Sequence, residues 1–317
     1  MNGGGYRYIK PKYIILLHKT IIMTKAKVYF SPNITPEKVV QLYHKVWLDL
    51  PWNIAIKLHS WEKWNQNFLK PEFWKPIIDE LNWTVVECNT AYEWARNSTD
   101  KHKELIHEHG RDKYFKFDLM DAEWPDMALD IPNWKVLKQN FVWKNMASYD
   151  SMIVLSHFKW HPMWWYGWAL KQLSIGCASS EWKSWIHSAW FTKDQTILRS
   201  NLPEQDKFLE SMADAASSLV NYFKWNMVFI NVMKNLSVDC DCCAIAEDPC
   251  MKDIWILASL DPIAIDQACV DLVYDATDDP GQKHFLERLE SRHWIHTIES
   301  AADLWFGTRD YELIQID

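Results

Sequence analysis

Short runs of β-branched and apolar residues alternate along the chain with segments of helical periodicity, and this alternation constrains the fold most. Helical patterns follow, directly or after a polar stretch, the runs KVYF, NIAIKLH, TVVECN, SMIVLSHF and DIWILASL. NMVFINVM instead follows the long amphipathic segment EQDKFLESMADAASSLVNYFK. Strands separated by helices cannot form hairpins and are typical of parallel βαβ units. The sequence therefore predicts an α/β fold with a central, mostly parallel sheet flanked by helices in a single domain.

The first 22 residues differ in character from the rest. Their apolar run IILL is short, His18 and Lys19 follow it, and no small-residue cleavage site comes after them. A secretory signal would need a longer apolar core and such a site. We expect residues 1–22 to be a non-native or disordered extension and residues 23–317 to form the α/β domain.

Charge and composition exclude several classes of protein. The 34 basic and 42 acidic residues give a formal charge of −8, whereas nucleic acids and anionic membranes attract basic surfaces. No stretch approaches the roughly 18 apolar residues of a membrane span. Seven cysteines in 317 residues are too few for a disulfide scaffold. We therefore expect a cytoplasmic protein with no nucleic-acid or membrane partner.

Glycine and tryptophan are present in unusual numbers. The chain has 8 glycines and 21 tryptophans, although an ordinary glycine content of about 7% would give roughly 22. Tryptophan stands where a turn usually holds glycine in Pro51-Trp52, Asn82-Trp83 and Asn133-Trp134, and it crowds the segment Met163–Trp168. Our hypothesis is that most of these residues are glycine in the organism, through an alternative genetic code that reads UGA as glycine. The alternative is a tryptophan-rich protein, and Trp74 and Trp185 have helical contexts that suit tryptophan.

Polar side chains gather where the predicted strands end. Lys57 and His59 end one strand, Cys88 and Asn89 the next, and His157, Lys159 and His161 another. Asp261 follows DIWILASL in the same way. Because the carboxyl ends of parallel strands meet at one edge of a sheet, these groups are expected to share a site. We take His157, His161 and Lys57 as candidates for substrate binding or proton transfer.

The cysteine cluster is the strongest local signal. The run Asp239–Cys243 (DCDCC) is followed by Cys250, so four thiols lie within eleven residues. Thiolates bind soft metals and iron–sulfur clusters, but the spacing matches neither the ferredoxin run nor the paired C-x-x-C of structural zinc. An iron–sulfur cluster, zinc and metal-free thiols all remain open. Cys177 could supply a remote ligand, whereas Cys269 lies in a helical apolar pattern and is expected in the core.

The segment from His157 to Gly176 allows two further interpretations. With glycines restored, its backbone amides could cradle an anion, with Lys159 and Lys171 adding positive charge. His157 and His161, four residues apart, could instead bind a metal.

Several of these segments together resemble a known family. KLHS, ECNTAYE, LSHFKWHPM, ALKQLSIGCASS, INVMKNLSVDCDC and DIWILASLDPIAIDQA are similar to the domain-of-unknown-function 362 family, described as uncharacterised iron–sulfur-centre proteins. The resemblance runs from Met23 to the C-terminus. It implies ligands at Cys177, Cys240 and Cys242, with Cys243 and Cys250 completing the candidate set. It also implies glycine at the places of Trp61, Trp94, Trp143, Trp160, Trp164, Trp165, Trp168, Trp182 and Trp255.

The resemblance implies a function without fixing a reaction. We expect a cluster, of the 4Fe-4S type, held by thiolates at the carboxyl edge of the sheet in an oxidoreductase or electron-transfer protein with a redox partner. Asp239 and Asp241 would disfavour its reduced form. Many relatives carry a separate ferredoxin module that this chain lacks. The alternatives are a zinc-dependent or metal-free enzyme acting on a small anionic substrate, and a non-catalytic cluster-binding sensor or assembly protein.

Overall fold

A computed structural model describes residues 25–46, 48–51, 53–122, 126–159 and 168–317. The predicted extension, Trp52 and His161 lie outside these ranges. The strands are β1 (Ala26–Ser31), β2 (Ile54–Leu58), β3 (Thr84–Glu87), β4 (Phe117–Leu119), β5 (Asp126–Asp130), β6 (Gln139–Trp143), β7 (Ser151–His157), β8 (Met227–Val232), β9 (Ile256–Ser259) and β10 (Tyr311–Gln315). The α-helices are α1 (Pro36–Lys45), α2 (Pro71–Leu81), α3 (Thr99–Glu108), α4 (Ala169–Leu173), α5 (Ser180–His187), α6 (Gln195–Ser200), α7 (Gln205–Tyr222), α8 (Pro262–Asp275), α9 (Gln282–Glu290) and α10 (Ile295–Asp303).

Eight of the strands form one twisted sheet in the order β10-β1-β9-β8-β7-β2-β3-β4. Only β9 runs antiparallel to its two neighbours, and the other pairs are parallel. Every residue of β2, β7 and β8 is buried, as expected for parallel strands covered on both faces. The predicted α/β fold, with a mostly parallel central sheet flanked by helices, is confirmed. The small β5–β6 hairpin was not predicted.

The core has two halves, one on each face of the sheet. On one face Ile56, Ile153 and Ile230 pack with helices α1 and α2. On the other face Val154 and Phe229 pack with α4, α7, α8 and α10. Successive residues of a strand point to opposite faces, so these buried strands contribute to both halves. Within the described residues, none of the helices combines the length and apolarity that crossing a bilayer requires.

Helix starts follow the expected capping chemistry. The Thr35 side chain accepts from the Lys38 N–H ahead of Pro36, and Asp261 accepts from the N–H groups of Ile263 and Ala264 ahead of Pro262. These side chains satisfy amides that have no partner inside the helix. Gly110 takes a left-handed conformation with φ of 65° just after α3, as is typical of glycine at the end of a helix.

Five described tryptophans take left-handed backbone conformations: Trp61, Trp64, Trp190, Trp225 and Trp305. The turn pairs named from the sequence behave differently. In Asn82-Trp83 it is Asn82 that has positive φ, 51°, and in Asn133-Trp134 neither residue does. Asparagine tolerates this region because its short side chain bonds locally, so glycine is not needed at Trp83.

Candidate functional site

A cavity opens at the carboxyl ends of β2, β3 and β7, where the sequence placed a site. Side chains from these strand ends meet side chains from the loop that precedes α3, from α4 and from the loop that follows β8. Its charged and sulfur-bearing lining residues are His59, Glu87, Arg96, His157, Lys159, Lys171, Lys183, His187, Cys240, Asp241 and Cys242. Cationic groups predominate on this lining, although the chain as a whole is acidic.

The cysteine loop forms one wall of the cavity. The Cys242 N–H donates to Cys240 Sγ at 3.4 Å, and the Cys243 N–H donates to the Cys240 carbonyl at 2.9 Å. The Asn65 amide donates to the carbonyls of Cys240 and Cys243, at 3.3 and 2.9 Å. The ammonium of Lys171 lies 3.8 Å from Cys240 Sγ. The loop is thus closed by its own backbone bonds and anchored by Asn65, with Cys240 and Cys242 facing the cavity.

Asp241, between the two cavity cysteines, binds the end of β7. It forms an ion pair with Lys159, and its Oδ2 lies 3.1 Å from His157 Nδ1. Burial alone would raise the pKa of Asp241, but Lys159 and His157 outweigh it and hold that pKa below the usual value. Burial, with Lys159 beside the ring, lowers the pKa of His157. The structure thus brings His157 next to the cysteine loop.

Lys57 lies behind the cavity rather than on its lining. Its ammonium is fully buried and donates to Glu87 Oε1 and Gln172 Oε1, both at 2.9 Å. Glu87 and Gln172 do line the cavity. Although burial opposes it, Lys57 and Arg96 lower the pKa of Glu87 to about 2. Lys57 therefore contacts the cavity through its partners.

A second network, around Arg96, was missed in the sequence. Arg96 donates to Glu62 Oε2 at 2.9 Å and to the Tyr92 hydroxyl at 2.8 Å, and its Nη1 lies 3.1 Å from His59 Nε2. Burial and the charge of Arg96 hold the pKa of His59 well below its usual value. Tyr92 and Arg96 both lie in the loop between β3 and α3, so the strand-end argument could have included them.

Trp61 covers a buried arginine at the edge of this network. The backbone of Trp61 has φ of 59°, and the residue lines the cavity. The centroid of its ring lies 4.1 Å from the guanidinium carbon of Arg111. Arg111 is fully buried, and its Nε and Nη2 have no hydrogen-bond partner among the described residues. Burial lowers the pKa of Arg111 to about 9.

The remaining predicted ligands have other surroundings. Cys177 is fully buried, which raises the pKa of its thiol to about 12, and Cys88, Lys57 and Lys183 lie close by. The Cys250 N–H donates to the Leu236 carbonyl, where residues 236 and 251 form a β-bridge. Neither thiol lines the cavity. Cys269 is buried in α8, so its predicted core position is confirmed.

Comparison with known proteins gives a family and a distant structural likeness. The family model described as Domain of unknown function (DUF362) matches residues 54–271. No curated protein matches the chain. A structural-genomics crystal structure of a Thermotoga maritima protein is similar with a TM-score of 0.40 at 10% identity, over 86% of this chain and 60% of that one.

Proposed function

This chain belongs to the DUF362 family, and from its site we propose that it binds an iron–sulfur cluster for a redox or electron-transfer role. The ligands would be the thiolates of Cys240 and Cys242, with Cys177, Cys243 and Cys250 as candidates for the remaining positions. The observation that carries the proposal is the position of Cys240 and Cys242, whose thiols both line a cationic cavity at the carboxyl edge of the sheet.

The thiols of the cysteine loop lie close together, since the Cys242 side chain contacts those of both Cys240 and Cys243. In the described part of the chain, no cysteine belongs to a set of three ligand atoms lying within 4.8 Å of one another. Thiolates bind both zinc and iron–sulfur clusters, so the metal content of the protein is the measurement that distinguishes the two.

The surrounding charges suit an anionic occupant. Lys171, 3.8 Å from Cys240 Sγ, offsets thiolate charge, and the Lys159–Asp241 ion pair fixes the loop between the two cysteines. When bound, a cluster would supply one-electron transfer. Asp241, kept ionised by Lys159, would disfavour the more negative reduced form.

The same lining favours a second candidate function. Arg96, Lys171 and Lys183 face one cavity, which suits a small anionic substrate with or without a metal. Such an enzyme would use His157 for proton transfer, keep its activity in air and show no visible chromophore. A sensor or assembly protein would hold a cluster without turnover.

Iron and acid-labile sulfide per chain, measured after anaerobic purification, test the proposal. We expect near-equal amounts of iron and sulfide with visible absorption, and a severalfold loss of both in Cys240→Ser and Cys242→Ser. Cys269→Ser, a buried cysteine away from the cavity, should keep both. One zinc ion per chain without iron would contradict the cluster and support a zinc-dependent enzyme. Protein free of metal would support the metal-free enzyme.

A further inference from the structure

Two histidines and two carboxylates meet on the surface where α10 packs on α7. Asp206 and Glu210 lie one turn apart on α7, while His293 lies just before α10 and His296 in its first turn. The ligand atoms of Asp206, His293 and His296 all lie within 4.8 Å of one another. We propose that these residues form a zinc site, distinct from the cysteine loop, with Glu210 as a further ligand.

The side chains already converge as a metal site requires. His293 Nδ1 lies 2.6 Å from Asp206 Oδ1, and the two imidazole rings stack with centroids 5.3 Å apart. His296 Nε2 is buried and has no hydrogen-bond partner among the described residues, and Glu210 Oε1 lies 3.5 Å from it. An ion between these groups would coordinate that nitrogen.

The donor set selects the class of metal. Calcium and magnesium prefer sites built from oxygen alone, whereas imidazole nitrogen with carboxylate oxygen suits Zn²⁺ and neighbouring transition metals. Two carboxylates would balance the two charges of the ion. Because the ligands come from two helices, a bound ion would cross-link α7 to α10.

The test compares zinc binding with matched variants. We expect full-length protein dialysed against Zn²⁺ to bind one equivalent more than His293→Asn or His296→Gln, and zinc to raise the melting temperature less in those variants. Asparagine suits position 293 because the backbone there has φ of 55° and asparagine tolerates that region. His284→Asn, at an exposed histidine paired with Glu247, should bind zinc like the wild type.

The cysteine loop is a competing zinc ligand, so the readout must separate the two. Co²⁺ in place of zinc gives a sulfur-to-metal charge-transfer band only at thiolates. The cobalt bound at the histidine site gives no such band, and the His293→Asn variant should lose this cobalt. The variant should keep its iron and sulfide content. Equal zinc equivalents in wild type and both histidine variants, or no zinc bound to either, would overturn the site.

Discussion

Tryptophans stand at the ends of helices in positions that normally require glycine. After α5, the Trp190 N–H donates to the Trp185 carbonyl at 3.0 Å, and after α7 the Trp225 N–H donates to the Val220 carbonyl at 3.2 Å. These bonds close a helix through left-handed residues, a role that glycine fills without strain. Trp190 and Trp305 are 56% and 61% exposed, so packing does not compensate for the strain. These observations support the hypothesis that glycine belongs there.

Glycine should therefore stabilise the protein at these positions. We expect Trp190→Gly, Trp225→Gly and Trp305→Gly each to raise the free energy of unfolding by about 1 kcal/mol, because the left-handed strain disappears. Trp74→Gly, in the core of α2, should instead lower it by about 3–5 kcal/mol. Urea unfolding of each variant measures both effects, and peptide mass spectrometry of the protein from its own organism identifies the residue. A loss of stability at the three helix ends would contradict the hypothesis.

The hypothesis that glycine replaces tryptophan in the organism also applies to Trp61, which lines the cavity. With glycine at position 61, the guanidinium of Arg111 would lose the ring stacked on it at 4.1 Å. The cavity would then extend to two unpartnered N–H donors. Recoding would thus change the size and charge of the cavity as well as the stability of the chain.

At the scale of elements, His102 joins helix α3 to the ends of two strands. Its Nε2 lies 2.6 Å from Ser60 Oγ after β2, and its Nδ1 lies 3.1 Å from Asn89 Oδ1 after β3. Burial, with the charge of Arg96, lowers the pKa of His102 to about 3. The ring is therefore neutral near pH 7, with one nitrogen to donate and one to accept.

This connection should be sensitive to acid. The pKa of an unfolded histidine is about 6.5, so the unfolded chain binds a proton at His102 between pH 6.5 and 3 that the folded chain does not. Stability is then lost as pH falls through that window. We expect the stability advantage of wild type over His102→Asn to shrink by about 2 kcal/mol between pH 7.5 and 5. Urea unfolding at both pH values measures it. A difference between the two proteins that stays constant with pH would contradict the prediction.

For the whole molecule, local sequence patterns predicted the secondary-structure elements and the sheet edge that holds the candidate site. They did not predict the direction of every strand or the contacts between loops. The alternation of strands and helices gave the α/β fold, and the side chains of His157, Cys240 and His59 do share one cavity. The antiparallel direction of β9 was not foreseen, because strand direction depends on the path of the connecting loop. The ion pair between Glu62 and Arg96 was missed because no local pattern signals a contact between two loops.

The edge of the sheet gives a prediction at this scale. β10 pairs with β1 from Ala26↔Tyr311 to Phe30↔Gln315. Removing residues 311–317 would leave without partners the β1 backbone groups that face β10, and open edges pair with other chains. We expect the shortened protein to self-associate and to unfold at lower urea concentration, as measured by light scattering and denaturation. Tyr311→Phe, which loses only the hydroxyl bond to Asp271, should scatter light like the wild type. A shortened protein indistinguishable from wild type in both measurements would contradict this role of β10.

The position of β1 also affects how the protein is made. Its two neighbours in the sheet, β9 and β10, begin at residues 256 and 311, whereas β1 begins at residue 26. At roughly 5–20 residues per second of synthesis, β1 leaves the ribosome about 10–60 s before its partners exist. A strand made this early is therefore among the last to be paired, and during that interval its unpaired edges are open to association with other nascent chains.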